Sequence, residues 1–123
     1  MSGNRALFDS NIIIYLSKRE ISLSFLDQFD AHYISVITYM EVLGYRFRDA
    51  KEEKFIKEML GVFHILYIDQ KIADMVIQIR REGCIRLPDA IIAATAKTEN
   101  LYLVTRNIED FKKVKVQITN PFD

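Results

Sequence analysis

Short apolar runs alternate with segments of helical period along almost the whole chain. Five such runs predict buried strands, at residues 6–8, 33–36, 63–68, 101–104 and 114–118. The segments between the first four runs predict helices. Strands that alternate with helices form a parallel sheet with helices packed on it. The pattern therefore predicts an α/β fold of three layers, in which helices flank a central parallel sheet of about five strands.

Apolar stripes and terminal residues place the helices more closely. The clearest stripe consists of Ile72, Met75, Val76 and Ile79, and Asp69 and Gly83 bracket it as start and stop signals. Pro88 favours a helix start, so a further helix is expected at residues 88–98. A stripe at residues 55–60 ends at Gly61, and Leu23, Leu26 and Phe29 form a short one.

Length, charge and cysteine usage exclude several classes of protein. The 123 residues suffice for one domain, residues 1–123. Seventeen basic and seventeen acidic side chains give no net charge, which argues against a generic electrostatic binder of nucleic acid or membranes. One cysteine, Cys84, with two histidines is too few for a zinc site, and a lone thiol fits a reducing compartment. No apolar run is long enough to span a membrane, so a cytoplasmic protein without membrane contact is expected.

Three acidic residues follow predicted strands, and a fourth opens a predicted helix. Asp9 follows the first strand, Glu41 lies one turn after the end of the second, and Asp110 lies shortly after the fourth. Asp89 instead opens the helix that leads into the fourth strand. Because ligands of open parallel sheets bind outside the carboxyl ends of the strands, these acids are expected at one crevice.

Each acid also has an explanation without function. Asp9 fits an N-cap, and Asp89 fits a first helical turn, where the helix dipole favours a carboxylate. Thr38 and Glu41 match a capping box, and Asp110 fits a solvated turn. Asp89 nevertheless shares its predicted helical face with apolar residues and should point inward: Ile92, Ala93 and Ala96.

Inward carboxylates at one edge repel each other unless a cation lies between them. Carboxylate oxygens without histidine or cysteine suit a hard ion, Mg²⁺ or Mn²⁺. The residues alone therefore leave two interpretations open, a metal site and a set of helix-start acids.

Four sequence blocks in this order resemble the PIN-domain ribonucleases, and most closely the VapC-type toxins of bacterial toxin–antitoxin pairs. The blocks are LFDSNIIIYL, SVITYMEVLGY, LPDAIIAATA and LVTRNIEDF, which span residues 7–111. The resemblance implies a PIN-like fold and a Mg²⁺-dependent endoribonuclease in which Mn²⁺ can substitute. It also implies an RNA substrate, a homodimer, and a small antitoxin that covers the active site.

Carried over by position, the resemblance assigns catalytic and metal-binding roles to four acids: Asp9, Glu41, Asp89 and Asp110. Asp9 and Asp89 match the direct metal ligands of the family. Four polar residues match positions that orient ligands or RNA at the crevice: Asn11, Thr105, Arg106 and Asn107. In-line hydrolysis with such a set is expected to leave a 5′-phosphate and a 3′-hydroxyl. The neutral charge and the short stretch at residues 16–23 depart from the family pattern.

A predicted helix at residues 39–48 is apolar over more than one face. Such a helix is either fully buried or meets a partner. Tyr39, Tyr45 and Phe47 are therefore a candidate partner surface, because the neighbouring Arg46 and Arg48 indicate exposure. An antitoxin held in a groove beside this helix is the corresponding hypothesis.

Other residues have less specific interpretations. His32 and His64 adjoin apolar strands and are expected to be surface or structural side chains, and Cys84 receives no role. Two basic clusters could hold phosphates or could satisfy helix dipoles: Arg80, Arg81 and Arg86, and Lys112, Lys113 and Lys115.

Three alternative functions make different demands on these residues. A catalytically silent PIN module that binds RNA or protein would not need all four acids. A stand-alone nuclease without an antitoxin fits the same residues. A receiver-like signalling domain would need a phospho-acceptor aspartate after the third strand, where Asp69 is better explained as a helix cap.

Overall fold

The computed structural model describes residues 3–122 and contains one five-stranded sheet whose strands are all parallel. The strands are β1 (Arg5–Phe8), β2 (Ala31–Ser35), β3 (His64–Leu66), β4 (Tyr102–Val104) and β5 (Ile118–Thr119). Their order across the sheet is β3-β2-β1-β4-β5, so β1 lies at the centre. The α/β prediction with about five parallel strands is confirmed. Residues 1, 2 and 123 of the predicted single domain lie outside the described residues.

Six helices connect or follow the strands. They are α1 (Ser10–Ser17), α2 (Val36–Leu43), α3 (Ala50–Leu60), α4 (Gln70–Glu82), α5 (Leu87–Glu99) and α6 (Ile108–Phe111), and a 3-10 helix occupies Leu23–Gln28. The predicted signals around α4 hold, since Asp69 Oδ1 accepts a hydrogen bond from the Ile72 amide. Helix α5 begins at Leu87, with Pro88 in its first turn as predicted. None of the helices described between residues 3 and 122 is long and apolar enough to cross a membrane.

Alternation along the strands divides the core between the two faces of the sheet. Ala6 and Phe8 of β1 point to one face, where they pack with buried residues of α1, α2 and α3. Leu7 points to the other face and packs with buried residues of α4, α5 and α6. A strand buried on both faces needs apolar side chains at successive positions, which explains why β1 is a continuous apolar run.

The predicted helix at residues 39–48 is wrong at both ends. Ser35, which ends β2, caps α2 through a 3.1 Å bond from the Ile37 amide to its hydroxyl, so the helix begins at Val36. It ends at Leu43, and Gly44 is its C-cap, whose amide donates the last helical hydrogen bond, 2.8 Å long, to the Met40 carbonyl. A Cβ at position 44 would come within 2.7 Å of that carbonyl oxygen, so a side chain there would need a backbone shift.

The boundaries of other predicted elements also change. Val36 leaves the predicted second strand for α2, and the third strand is only His64–Leu66, with Phe63 buried ahead of it. The fifth strand is Ile118–Thr119, whereas Val114 lies in a turn and packs in the core. The stripe of Leu23, Leu26 and Phe29 belongs to the 3-10 helix and its C-cap, with Leu23 exposed.

The structural interpretation of His32 is confirmed. Its Nε2 donates a 2.6 Å hydrogen bond to the Leu26 carbonyl, and its ring lies beside Phe8 and Phe63. His64 is exposed at the start of β3, and the Cys84 thiol is free and exposed after α4.

Candidate active site

The four predicted acids come from four elements at the carboxyl edge of the sheet. Asp9 lies between β1 and α1, Glu41 lies in α2, Asp89 lies in the first turn of α5 and Asp110 lies in α6. The negative charge of Asp89 raises the pKa of the Asp9 carboxyl, and the charges of Asp110 and Glu41 raise the pKa of the Asp89 carboxyl. The structure therefore brings together the four acids that the sequence singled out.

Asp9 is almost completely buried, with 5% of its surface exposed. Its amide donates to the Val104 carbonyl at 3.1 Å, which extends the pairing of β1 with β4 by one step. Its Oδ1 accepts a 3.0 Å bond from the Ile12 amide, and its Oδ2 accepts from the Thr105 hydroxyl. Asp9 is thus an N-cap and, in addition, a member of the acidic group, so the two interpretations of this residue are compatible.

The environment of Asp9 raises the pKa of its carboxyl above the ordinary value of 3.8. Burial is the main cause, because it disfavours the charged form. The bonds from Thr105 and from the Ile12 amide act in the opposite direction, and the negative charge of Asp89 adds to the rise. Without a cation the site therefore disfavours a charged Asp9.

Asp89 lies on the inward face of α5, as predicted. Its side chain is 16% exposed, and the apolar residues that share its face are buried: Ile92, Ala93 and Ala96. Burial raises the pKa of its carboxyl, the charge of Arg86 opposes the rise, and Asp110 and Glu41 add to it. The Nε of Arg86 is 3.6 Å from Asp89 Oδ2, and its side chain is 81% exposed, so this cation compensates the site only in part.

Glu41 is held by Ser10, a residue that was not among the predicted site residues. The Ser10 hydroxyl lies 2.6 Å from Glu41 Oε1 and 3.0 Å from the Thr38 hydroxyl. The predicted capping box does not form, because Ser35 is the cap and Thr38 is buried inside α2. The position of Ser10 directly after Asp9 was the available signal for its role.

Two of the predicted polar residues link Asp9 to Asp110. The Thr105 hydroxyl, which donates to Asp9, accepts a 3.0 Å bond from the Asn107 amide. The Asn107 side-chain Nδ2 donates to Asp110 Oδ2 at 2.6 Å. This chain of hydrogen bonds orients two carboxylates that lie in different elements.

The other two predicted polar residues lie at the rim. Asn11 is exposed in the first turn of α1, and its backbone amide bonds the Asp9 carboxyl. Arg106 is exposed and lies against Tyr15 and Phe122, two aromatic residues that the sequence interpretation did not assign to the site. Nothing in the local sequence pattern of Phe122 indicated this contact.

The donor set is entirely oxygen, which suits a hard divalent cation. Within residues 3–122 no three acidic, histidine or cysteine side chains converge closely enough to form a ready ligand shell. Each carboxylate has about four lone-pair positions, so the hydrogen bonds on Asp9 and Asp110 leave further acceptor positions free. The chemistry of the donors fits Mg²⁺ or Mn²⁺.

The candidate partner surface lies on a groove of about 840 Å³ between α1, α2 and α3. Tyr45 and Phe47 line it from the loop after α2, with Tyr45 66% exposed and Phe47 packed against the core. Tyr39 is exposed on α2 but does not line the groove. The structure therefore places two of the three predicted partner residues in the same groove.

Comparison with known proteins gives matches over most of the chain. The PIN domain family model matches residues 6–117. Ribonuclease VapC from Rickettsia bellii (strain RML369-C) is 32% identical over 121 residues, covering 88% of this chain and 89% of the relative.

Two solved structures are similar in both sequence and fold. A chain of a toxin–antitoxin complex from Klebsiella pneumoniae is 37% identical with a TM-score of 0.81, covering 96% of this chain and 98% of that one. A chain of FitAcB from Neisseria gonorrhoeae is 30% identical with a TM-score of 0.78, covering 95% and 98%.

Proposed function

The chain belongs to the PIN-domain family, and from that premise we propose that it is a Mg²⁺-dependent endoribonuclease that acts as the toxin of a toxin–antitoxin pair. One observation carries the proposal: four carboxylates from four elements lie along one sheet edge near enough for their charges to interact, with the pKa raised at Asp9 and at Asp89. The names of the relatives support it, since one is a ribonuclease VapC and another belongs to a toxin–antitoxin complex.

Asp9 and Asp89 would hold the metal, and Asp110 and Glu41 would complete its surroundings. When bound, Mg²⁺ or Mn²⁺ would neutralise phosphate charge and lower the pKa of a bound water. The Thr105 hydroxyl and the Ile12 amide fix the orientation of Asp9 for this role. Asn107 fixes Asp110 in the same way.

Glu41 would act as the general base. It is exposed at the rim, and Ser10 holds one of its oxygens, which leaves the other free to accept a proton from the attacking water. Attack in line on the phosphorus expels the 3′ oxygen of the preceding ribose. The expected products carry a 5′-phosphate and a 3′-hydroxyl.

The test is RNA cleavage with and without Mg²⁺ by the wild type and by Asp9→Asn and Asp89→Asn. Loss of a metal ligand should remove several kcal/mol of transition-state stabilisation, or about a thousandfold in rate. Asp69→Asn is a matched control, because Asp69 caps α4 as Asp9 caps α1 but lies outside the acidic group. Full activity of Asp9→Asn, or cleavage by the wild type in chelator, would contradict the proposal.

The groove beside α2 would receive the antitoxin. Its aromatic lining comes from Tyr45, Phe47 and Phe55, and its basic side chains are Lys18, Arg46, Arg48 and Lys51. Its two acids are engaged within the fold, since Asp49 caps α3 and Glu52 pairs with Arg48 at 2.9 Å. An amphipathic segment with acidic residues fits this lining.

A homodimer remains part of the proposal. Tyr39 and Met40 are adjacent on α2 and both are exposed, which leaves an apolar patch for a second copy. Light scattering over a range of concentrations tests it, and a monomer at the highest concentration would contradict it.

A further inference from the structure

Three side chains form an aromatic and cationic group at the rim of the acidic site. The guanidinium of Arg106 lies 4.3 Å from the ring centre of Phe122 and 5.6 Å from that of Tyr15. Its Nη1 donates a 3.3 Å hydrogen bond to the Tyr15 hydroxyl. The two rings meet edge to face at 5.0 Å, so all three groups contact one another.

The chain connects this group directly to the acids. Arg106 lies between Thr105 and Asn107, the two residues whose hydrogen bonds orient Asp9 and Asp110. Tyr15 lies on α1, the helix that Asp9 caps. The backbone therefore links the Arg106 group to the residues that orient the carboxylates of the proposed cleavage site.

The group has unused binding capacity. Within residues 3–122 Arg106 forms no ion pair with a carboxylate, and the residue is exposed. A guanidinium has five N–H donors, of which Tyr15 takes one. Phe122 is 40% exposed although it touches both other residues.

We propose that Tyr15, Arg106 and Phe122 hold an unpaired nucleotide of the RNA substrate beside the cleaved bond, which rests on the proposed ribonuclease function. The base stacks on the exposed part of Phe122, and the guanidinium holds a neighbouring phosphate. Aromatic faces combined with cations are how proteins bind single-stranded nucleic acid without sequence readout. Such a local site would also allow a chain without net charge to bind a polyanion.

The protein contains no tryptophan, which makes a direct test of stacking possible. Phe122→Trp introduces one fluorophore at the proposed contact, and Asp9→Asn in the same chain keeps the RNA uncut. Val62→Trp is the matched control, because Val62 is exposed in the turn before β3, at the opposite edge of the sheet. Binding is followed independently by the anisotropy of a labelled single-stranded RNA of mixed sequence.

The expected result is saturable quenching of the Phe122→Trp variant by the RNA, at the concentrations where anisotropy reports binding, with no change in the fluorescence of the Val62→Trp variant. Inorganic polyphosphate carries the charge without bases and should leave the fluorescence of the Phe122→Trp variant unquenched. RNA binding without quenching at position 122, or equal quenching by polyphosphate, overturns the stacking proposal and leaves the nuclease proposal standing.

A kinetic comparison separates substrate binding from a structural role of the same contact. Phe122→Ala should raise KM for single-stranded RNA roughly five- to a hundredfold with little change in kcat, and Phe122→Tyr should restore it. An unchanged KM combined with a lower Tm would overturn the proposal, because the contact would then only stabilise the packing of the C-terminal segment. Failure of the nuclease proposal itself is seen separately, as absence of cleavage by the wild type in Mg²⁺.

Discussion

Thr105 carries no charge, yet its hydroxyl connects Asp9 to Asn107, the residue that orients Asp110. It is fully buried, donates to Asp9 and accepts from the Asn107 amide. A buried carboxylate with both oxygens bonded is tolerable, whereas one that loses a donor retains its desolvation cost. The uncharged neighbours therefore determine how easily Asp9 carries its charge.

Thr105→Val tests this dependence. Valine keeps the volume but leaves Asp9 Oδ2 without its donor, so the free energy of unfolding at neutral pH should fall by about 1–3 kcal/mol. The pKa of Asp9 should rise further, because the Thr105 bond now lowers it. Thr105→Ser keeps the hydroxyl and should keep the pKa of Asp9, at the cost of one methyl group. Denaturant unfolding measures the stabilities, and a valine variant as stable as the wild type would contradict the prediction.

Asp89 distinguishes a metal site from an ordinary helix-start acid. Because Asp9, Asp110 and Glu41 surround it, the metal-free protein carries mutual repulsion that Asp89→Asn relieves. The lost pair with the exposed Arg86 is worth little. A relief of about 1 kcal/mol would raise Tm in chelator by roughly 3–6 °C. A simple dipole partner gives the opposite sign, so a lower Tm of the variant in chelator would contradict the shared-site interpretation.

At the scale of elements, periodicity predicted the interior of the fold better than its boundaries. The stripe of α4 and the buried runs of β1 and β4 are set by which face each side chain buries, and that information is local. The two ends of α2 depend on a serine cap and a close glycine contact, and the true position of β5 depends on its pairing with β4. Pairing is a property of two segments, which a single stretch of sequence does not contain.

The candidate site likewise contains residues that the local sequence indicated and residues that it did not. Three of the acids and the polar residues after β4 were identifiable because they follow strands, and strand ends gather at one edge. Asp89 follows no strand and was identifiable from the apolar residues that share its helical face. Ser10 had only its position beside Asp9 as a signal. The contact of Phe122 with Arg106 joins residues from different parts of the chain and had no local signal at all.

Because α2 ends at Leu43, Tyr45 and Phe47 lie in a loop and differ in burial. Their substitutions should therefore differ in their effects on stability. Tyr45 is 66% exposed and touches the groove, whereas Phe47 also packs against the core. Tyr45→Glu should therefore abolish binding of the acidic partner segment while Tm stays within about 2 °C of the wild type, a change typical of surface substitutions. Phe47→Glu should weaken binding and also lower Tm by several degrees, because it brings a charge to half-buried apolar surface.

Calorimetric titration of the partner and thermal melting of each variant provide the two measurements. Tyr67→Glu is a control, since Tyr67 is similarly exposed after β3 but does not line the groove. Undiminished binding by Tyr45→Glu would place the partner elsewhere.

At the scale of the whole molecule, the acidic site opposes folding unless a cation is bound. Its members come from elements on both sides of the sheet, so the site exists only in the folded chain. Asp9 and Asp89 have a pKa above 3.8 in the folded state, so near this range the folded protein binds more protons than the unfolded chain. In chelator, stability should therefore rise as the pH falls from neutral toward 3.8.

Saturating Mg²⁺ should reverse that dependence. A ligand at a hundred times its Kd adds about 2.7 kcal/mol to the free energy of unfolding when it binds only the folded state. Protons compete with the metal for the same carboxylates, so this gain should be largest at neutral pH and vanish as the acids protonate. Thermal melting across the pH range, in chelator and in Mg²⁺, should thus give curves that are far apart at neutral pH and converge in acid. Asp69→Asn should reproduce both wild-type curves, whereas Asp9→Asn should lose the separation between them. Coincident curves for the wild type would mean that these carboxylates do not hold the ion, and a chelator curve that fails to rise toward acid would mean that they do not repel each other in the free protein.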